Sequence, residues 1–266
     1  MGLMMSMFSF ALVAGAFGAY MGTIPKNAVP TRPVVHIGLM LVGSAGGLAA
    51  LVLLGGPLFS RVLSVALALM AMLLTAVFLW LLSNRKTPVG DLRVSVGDPL
   101  LSIASVTSAG APFDNADLDG QRVLFKFFRG GWCPYCVAEL NLFEAMAPAL
   151  EAHGVRVVAL SKDTVEEAAV HRRRDGVTAT LLSDPNLEVI RRFGVEHHKA
   201  LNMKTGMFKV FGIPLGLHVS FDAMAIPTTL LINEDGIVVW VDQAEDYRIR
   251  SQRDRVLAAV NDAFGG

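Results

Sequence analysis

The only two cysteines of the 266-residue chain, Cys133 and Cys136, are separated by two residues. Residues spaced i and i+3 lie on one face of a helix, close to the roughly 5–6 Å between Cα atoms that a disulfide requires. A Gly130-Gly131 turn precedes them and places Cys133 at the start of the helix. There the unpaired N–H groups and the helix dipole favour a thiolate. The spacing therefore predicts a redox-active dithiol that cycles through a Cys133–Cys136 disulfide.

The residues around the cysteines fit redox chemistry better than two other uses of paired thiols. Trp132 and Tyr135 flank the pair, and Pro134 suits the first helical turn because it has no N–H to donate. A structural disulfide at this spacing closes almost no loop and would stabilise the fold little. A zinc site needs four ligands, and the distant His197 and His198 do not have ligand-like spacing. We expect neither a metal nor a cofactor.

The elements that must position the dithiol alternate between strands and helices. Apolar runs rich in β-branched and aromatic residues predict strands, and capping, Pro and Gly signals bound the helices between them. In chain order we expect a strand at 122–128, a helix at 134–153, a strand at 155–161, a helix capped by Thr164 and Glu167, a short strand and helix before Gly194, a hairpin at 228–242 and a closing helix at 253–264. This alternation is typical of a layered α/β domain.

The first third of the chain has a different composition. From Met1 to Asn84 there is no Asp or Glu. Three apolar stretches there approach the roughly 20 residues with which a helix crosses a bilayer; they are 3–22, 34–54 and 62–82. A cleaved signal peptide is the alternative for the first stretch. We expect a membrane anchor at 1–84, a linker at 85–93 and a redox domain at 94–266.

The basic residues between the spans predict the orientation in the membrane. With three spans, Lys26 and Arg32 lie on the same side as Arg85, Lys86 and the redox domain, whereas Arg61 lies on the other side. The positive-inside rule then predicts a multi-pass protein of the cell (inner) membrane with a cytoplasmic rather than periplasmic redox domain. The partner that we expect for the anchor is the lipid bilayer. The formal net charge is +0, so we expect no nucleic-acid partner.

From about Val96 onward the chain resembles the thioredoxin superfamily, in its alkyl hydroperoxide reductase/thiol-specific antioxidant, peroxiredoxin-like branch. The resemblance rests on motifs in the expected order: "RVLFKFFRGGWCPYCVAEL", "ALSKDTVEEA", "LLSDPNLEVIRRFGV", "IPTTLLINEDGIVVWVD" and "DYRIR". It implies a thioredoxin-like fold, with a central mixed sheet flanked by helices. It also implies a thiol-disulfide oxidoreductase that reacts with a protein or small thiol, of the thioredoxin or glutathione type, with a hydroperoxide as the alternative substrate.

Within this resemblance two assignments of the cysteines compete. In thioredoxins the Cys after the Trp attacks, which here is Cys133, and Cys136 would then resolve the mixed disulfide. In peroxiredoxins the peroxidatic Cys has Pro two residues before it and Glu three residues after it. Cys136 has Pro134 and Glu139 at those offsets, so in this alternative Cys136 attacks and Cys133 resolves.

Pro227 is the position that favours disulfide exchange over peroxidase chemistry. In peroxiredoxins an Arg that polarises the peroxide stands two residues before a strand Thr, and alignment on Thr229 puts Pro227 at that place. A Pro there is the thioredoxin arrangement. It predicts a cis Ile226–Pro227 bond beside the sulfurs, with Thr228 opening the next strand.

Two nearby positions and one long segment complete these expectations. Arg129 is a second candidate cation, but at the end of a strand we expect it to be exposed. Phe127 stands where thioredoxins bury an Asp, so no residue is assigned to proton transfer. The 195–225 segment is long for a connection. We expect it to cover a sheet edge, and the alternative is that its apolar side chains, from Met207 to Leu217, border the active site or touch the bilayer.

Overall fold

The chain forms two compact units, Met1–Arg85 and Lys86–Gly266. The structure is a computed structural model that describes residues 1–89, 91–210 and 213–265, with side chains for all of these except 204–210 and 213–218. The first unit contains three helices: α1 (Gly2–Met21), α2 (Val34–Val52) and α3 (Leu58–Ser83). All three are long and apolar enough to cross a membrane, as the sequence predicted, although α3 begins four residues earlier than expected.

Small residues let the three helices approach one another closely. A Cβ on Gly43 would lie 2.6 Å from Val13 Cγ2, and one on Gly47 would lie 3.4 Å from the Cα of Ala68. Glycines at such crossings permit backbone contact between apolar helices. The Ser44 and Thr75 hydroxyls, 2.8 Å apart, join α2 to α3.

Among its described residues, the second unit contains a seven-stranded sheet, a two-stranded sheet and four further α-helices. The strands are β1 (Ala104–Thr107), β2 (Pro112–Asp114), β3 (Arg122–Phe127), β4 (Val155–Ser161), β5 (Thr180–Ser183), β6 (Glu196–Val210), β7 (Ile213–Ala225), β8 (Thr228–Ile232) and β9 (Val238–Gln243), and the helices are α4 (Pro134–Glu151), α5 (Val165–Asp175), α6 (Glu188–Arg192) and α7 (Arg253–Phe264).

The larger sheet is mixed, with strand order β2-β1-β5-β4-β3-β8-β9. Strands β3, β4 and β5 run parallel, whereas β8 runs antiparallel to β3. Apolar cores cover both faces: α4 and α7 pack on one, and α6 packs on the other. The predicted strands and helices are present, including the capping box in which the Thr164 and Glu167 side chains each accept from the other's backbone N–H. The sheet confirms the predicted thioredoxin-like α/β fold.

Two segments contain structure that the sequence did not predict. In the expected linker, the Thr87 N–H donates to Glu245 O at 3.0 Å and the Arg93 N–H donates to Phe193 O at 3.0 Å. These residues are therefore bonded into the second unit. The 195–225 segment, which is long for a connection, contains the antiparallel pair β6–β7. The side chains of the apolar residues between Met207 and Leu217 lie outside the described part of the chain.

Candidate active site

The two cysteines lie where β3 passes through the glycine turn into α4. Cys133 is the N-cap of α4, with φ −84° and ψ 113°, and Pro134 occupies its first turn. The N–H groups of Cys136 and Val137 both donate to the Cys133 carbonyl at 3.0 Å, which closes the first turn. Both cysteines are free thiols, and their exposed fractions are 1% for Cys133 and 0% for Cys136. The dithiol is therefore positioned by a helix start and enclosed by the core.

The glycine turn is fixed from outside by the β4–α5 region. The Gly131 N–H donates to Asp163 Oδ2 at 2.7 Å, and Arg174 Nη2 donates to Gly131 O at 2.6 Å. A Cβ on Gly131 would lie 2.5 Å from the buried His171 ring. Only glycine fits this position without displacing the ring. The two hydrogen bonds to Gly131 hold the turn in place and so set the residue at which α4 begins.

Arg129 is buried, with 3% exposed, so our expectation of an exposed strand-end arginine was wrong. Its Nη2 donates to Leu201 O, and its Nε donates to Met224 Sδ at 3.1 Å. Its guanidinium also lies 4.2 Å from the Tyr247 ring centroid and 5.2 Å from that of Trp132. The base of the β6–β7 hairpin and two aromatic rings therefore replace the water that would otherwise solvate this charge.

A second group of buried charges lies beneath Cys136. Lys126 Nζ donates to Glu139 Oε1 at 2.7 Å and to Thr229 Oγ1 at 3.0 Å. Glu139 Oε2 lies 3.3 Å from Arg250 Nε. Arg250 Nη2 in turn donates to the Cys136 sulfur at 3.2 Å. Buried charges require such pairing because each isolated ion would be costly to desolvate.

The pKa values of the two thiols are shifted in opposite directions. Burial alone would raise the pKa of Cys133, but hydrogen bonding from Cys136 and the charges of Arg129 and Arg250 lower the pKa to about 5. Burial raises the pKa of Cys136 well above its ordinary value, and the neighbouring Cys133 raises it further. At neutral pH the pair therefore consists of a Cys133 thiolate and a Cys136 thiol.

The structure brings most of the predicted site residues to this region. Trp132 and Tyr135 flank the pair, and the Tyr135 ring packs edge-on against Tyr247 with centroids 5.7 Å apart. Glu139 is buried one turn beyond Cys136, whereas Pro134 is exposed at the surface. His198 is exposed, but His197 is half-buried, where burial and then the charge of Arg129 lower its pKa to about 4.

Pro227 and Thr228 lie at the sheet end near the glycine turn, since Thr228 is opposite Phe127 in the β8–β3 ladder. The described residues contain no cis peptide bond, so the expected cis Ile226–Pro227 bond was wrong. Backbone bonds hold both sides of this peptide: the Ile226 N–H donates to Val195 O at 2.7 Å, and the Ala244 N–H donates to Pro227 O at 2.9 Å. The thioredoxin-like cis-Pro loop that we expected at Pro227 is therefore absent.

The sequence reasoning missed Lys126, Arg250 and Tyr247. Lys126 could have been noticed as a charge inside the apolar run "RVLFKFF". Arg250 and Tyr247 belong to the "DYRIR" motif, which carried the resemblance but was given no role. The described residues contain no group of three or more His, Cys, Asp or Glu side chains that could hold a metal ion. A cavity of about 650 Å³ lies beside the glycine turn, with Trp132 and Pro134 in its wall.

A Cys-Pro-Tyr-Cys pair at the N-terminus of a helix on this mixed sheet is the arrangement expected of a thioredoxin-fold redox protein. Residues 96–241 match the AhpC/TSA family, which is more than half of the chain. The chain belongs to the AhpC/TSA family and is a peroxiredoxin-like oxidoreductase, as the sequence predicted.

Individual relatives agree with this membership. A Mycobacterium tuberculosis protein whose name classes it as a peroxiredoxin is 29% identical over 147 residues, which are 55% of this chain and 83% of the relative. Peroxiredoxin Bcp of Escherichia coli K12 is 30% identical over 96 residues, which are 36% of this chain and 62% of that protein. A thiol peroxidase from Chromobacterium violaceum shares the fold, with a TM-score of 0.51, 16% identity, and coverage of 66% of this chain and 92% of that one.

Proposed function

We propose that the chain is a membrane-anchored, thiol-dependent peroxidase in which Cys133 attacks a hydroperoxide and Cys136 resolves the product. The observation that carries the proposal is the geometry of the dithiol: Cys133 is the buried N-cap of α4, and the Arg250 guanidinium donates to the sulfur of its partner Cys136 at 3.2 Å. The charges of Arg129 and Arg250 contribute to lowering the pKa of Cys133 to about 5. A thiolate is the nucleophile that peroxide reduction requires. Cationic donors near it stabilise the negative charge that develops on the departing oxygen.

Burial of the sulfurs favours a small substrate over a protein disulfide. Cys133 is 1% exposed and Cys136 is 0% exposed. A disulfide in a folded protein must bring its own sulfur in line with the attacking thiolate, and such a partner cannot reach an enclosed atom without local opening. A hydroperoxide carries only one small reacting group, so it needs less opening of the site to reach the sulfur than a folded protein does. A cavity beside Trp132 and Pro134, the two neighbours of Cys133 in the chain, lies next to the site.

The proposed cycle uses two protons, one supplied by the protein and one supplied by solvent. The Cys133 thiolate attacks the terminal oxygen of the hydroperoxide, so an S–O bond forms and the O–O bond breaks. The alkoxide leaves as the alcohol with the proton of the Cys136 thiol. The resulting Cys136 thiolate attacks the Cys133 sulfenic acid, the S–S bond forms, and the hydroxide takes a proton from solvent. A thiol reductant of the thioredoxin or glutathione type then restores the dithiol by exchange, a step that requires local opening of the site around the disulfide.

The reverse assignment, with Cys136 peroxidatic and Cys133 resolving, is the second candidate. It is favoured by the Arg250 donor at 3.2 Å from the Cys136 sulfur and by the peroxiredoxin offsets of Pro134 and Glu139. The raised pKa of the Cys136 thiol argues against it, because the protonated thiol is a poor nucleophile. Both assignments give the same disulfide and the same overall reaction.

The anchoring part of the proposal rests on the three apolar helices α1–α3, which are suited in length and composition to a bilayer. With residues 1–84 as anchor and the redox domain following, the basic-residue distribution favours an inner-membrane protein with a cytoplasmic redox domain. The reductant and the hydroperoxide would then meet the domain on that side.

Peroxide consumption by the full-length protein in detergent, with dithiothreitol as reductant, tests the function, and insulin-disulfide reduction is measured in parallel. We expect hydrogen peroxide and cumene hydroperoxide to be consumed and insulin to be reduced poorly. Cys133→Ser should abolish turnover, whereas Cys136→Ser should complete one reaction and carry a sulfenic acid at Cys133, located by dimedone labelling. Insulin reduction without peroxide consumption would refute the peroxidase proposal, and dimedone labelling of Cys136 in Cys133→Ser would reverse the two roles.

A further inference from the structure

The cavity of about 650 Å³ beside the glycine turn, which we call the α5 cavity, is enclosed by three segments that are distant in sequence. Trp132 and Pro134 form one side, α5 forms the second, and Met203 of β6 contributes the third. Its volume lies within the roughly 300–1,000 Å³ typical of small-molecule sites. Because Trp132 and Pro134 are the chain neighbours of Cys133, a molecule held in the cavity lies beside the start of α4.

One face of α5 makes the wall of the cavity acidic. Its wall residues recur with the three- and four-residue spacing that places side chains on one helix face; they are Glu166, Glu167, Val170, His171 and Arg174. Together with Asp163, just before the helix, they bring three carboxylates and one guanidinium to the wall. Arg174 is already paired outside the wall, since its Nε donates to Asp175 Oδ1 at 3.0 Å. Negative charge therefore predominates in the cavity.

Three buried ring nitrogens in this wall have no hydrogen-bond partner within the described part of the chain; they are Nδ1 and Nε2 of His171 and Nε1 of Trp132. His171 is 2% exposed, and its Nε2 lies 3.3 Å from Asp175 Oδ2 without hydrogen-bond geometry. Burial lowers the pKa of His171, so at neutral pH the ring offers one donor and one acceptor. Unpaired buried polar groups are costly. An amide would satisfy them, because it has both a C=O and an N–H.

We propose that the α5 cavity binds the thiol that reduces the Cys133–Cys136 disulfide, and that this thiol is a small, amide-bearing molecule without net negative charge. The inference deepens the proposed function and rests on it for the disulfide. The carboxylates of the wall repel an anionic thiol, and the unpaired ring nitrogens select an amide. A cavity of this volume holds a small thiol rather than a folded protein reductant.

Reduction of the disulfide consumes two molecules of the thiol. The thiolate of the first attacks the Cys133 sulfur once the site opens, so the S–S bond to Cys136 breaks and Cys136 takes up the proton that the thiol released. The thiolate of the second attacks the sulfur of the first, which releases Cys133 as a thiolate, and its proton passes to solvent. Two electrons reach the protein, and the small thiol leaves as its own disulfide.

The test measures the reductive step by itself. Full-length protein in detergent is oxidised with diamide, and its reduction is followed by alkylation of the thiols that are released. The two reductants are glutathione, which carries one net negative charge at neutral pH, and its uncharged monoethyl ester. Their rates are corrected for their intrinsic reactivity with dipyridyl disulfide. We expect wild-type protein to prefer the ester about threefold or more.

Variants at two exposed positions of the wall test the charge and the volume of the cavity. Glu166→Lys should lower the preference for the ester about two- to fivefold. The matched control, Glu151→Lys, changes the same charge at the last residue of α4, so the preference should stay as in wild type. Val170 is 50% exposed, so the fold should accept a larger side chain there. Val170→Trp should fill the cavity and slow reduction by both thiols about tenfold, whereas Val170→Ala should not.

Three results would overturn the inference. They are equal corrected rates of the two thiols in wild type, an unchanged preference in Glu166→Lys, and equal rates of reduction in Val170→Trp and Val170→Ala. Diamide replaces the hydroperoxide in these measurements, so they stay decisive if wild-type protein consumes no peroxide. In that case the proposed function alone fails.

Discussion

The pH dependence of Cys133 alkylation tests the electrostatics of the site most directly. The perturbation is Cys136→Ser in the full-length chain, which leaves Cys133 as the single thiol and retains a hydroxyl that can donate to it. The pKa of Cys133 is about 5, against an ordinary value of 9.0. At pH 7 these values correspond to thiolate fractions of about 99% and about 1%, a difference of about 100-fold.

The rate at a single pH would nevertheless hide this difference. Thiolate nucleophilicity falls with pKa, with a Brønsted coefficient of about 0.4–0.5, so a change of about four pKa units lowers it roughly 40- to 100-fold. The gain in thiolate fraction and the loss in nucleophilicity nearly cancel at pH 7. The shape of the pH profile is therefore the informative quantity.

We expect iodoacetamide to alkylate Cys133 at a constant rate from about pH 6 to 9 and about tenfold more slowly for each pH unit below 5. The matched variant, Cys133→Ser, leaves only Cys136, whose rate should still be rising at pH 9 because burial raises its pKa. A Cys133 rate that climbs tenfold per unit between pH 6 and 8, beside a flat Cys136 profile, would refute the assignment of the thiolate.

Glu139→Gln should destabilise the protein by about 3–5 kcal/mol in denaturant unfolding, because it leaves Lys126 and Arg250 buried without their carboxylate; an effect below about 1 kcal/mol would contradict the buried pairing. Gly131→Ala should slow peroxide consumption, since its Cβ would lie 2.5 Å from the His171 ring, and adding His171→Ala should restore the rate; no restoration would place the defect elsewhere. A reporter fused after Asn84 should be active if it requires the cytoplasm and inactive if it requires the periplasm. The opposite result would reverse the proposed orientation.

The parts of the fold that follow local patterns were predictable from the sequence. Alternating apolar runs located β3 and β4, and the Thr164–Glu167 spacing located the start of α5. The Gly-Gly turn and the cysteine spacing placed the dithiol at the first turn of α4. Each of these features depends on residues within a few positions of one another, so composition and periodicity determine them.

The charges around the dithiol were not predictable in the same way. Arg129 is turned inward by acceptors 72 and 95 residues away, Leu201 and Met224. Arg250 reaches Cys136 from a segment 114 residues further along the chain. Neither contact leaves a local pattern, because burial of a charge depends on partners that only the tertiary fold assembles. The cis Ile226–Pro227 bond that the resemblance implied is absent, and the backbone bonds that Ile226 and Pro227 make with Val195 and Ala244 likewise leave no local pattern.

The balance of buried charge also bears on the redox equilibrium. In the reduced site, Lys126, Arg129 and Arg250 face Glu139 and the Cys133 thiolate. Disulfide formation removes the thiolate, so the net positive charge of this group increases by one and leaves cations in excess. Burial lowers the pKa of Lys126, and the excess persists even when that lysine is neutral. The oxidised form is therefore electrostatically the less favourable one.

Stabilisation of the reduced form makes a dithiol more oxidising. We therefore expect a reduction potential nearer the range of about −180 to −120 mV, found for oxidising disulfide proteins, than the value of about −270 mV found for thioredoxin. Equilibration of the full-length protein with glutathione redox buffers, followed by alkylation of free thiols, measures it. Arg250→Met should shift the potential towards more negative values because it removes one of the unbalanced cations. A wild-type potential at or below the thioredoxin value would contradict this account of the buried charges.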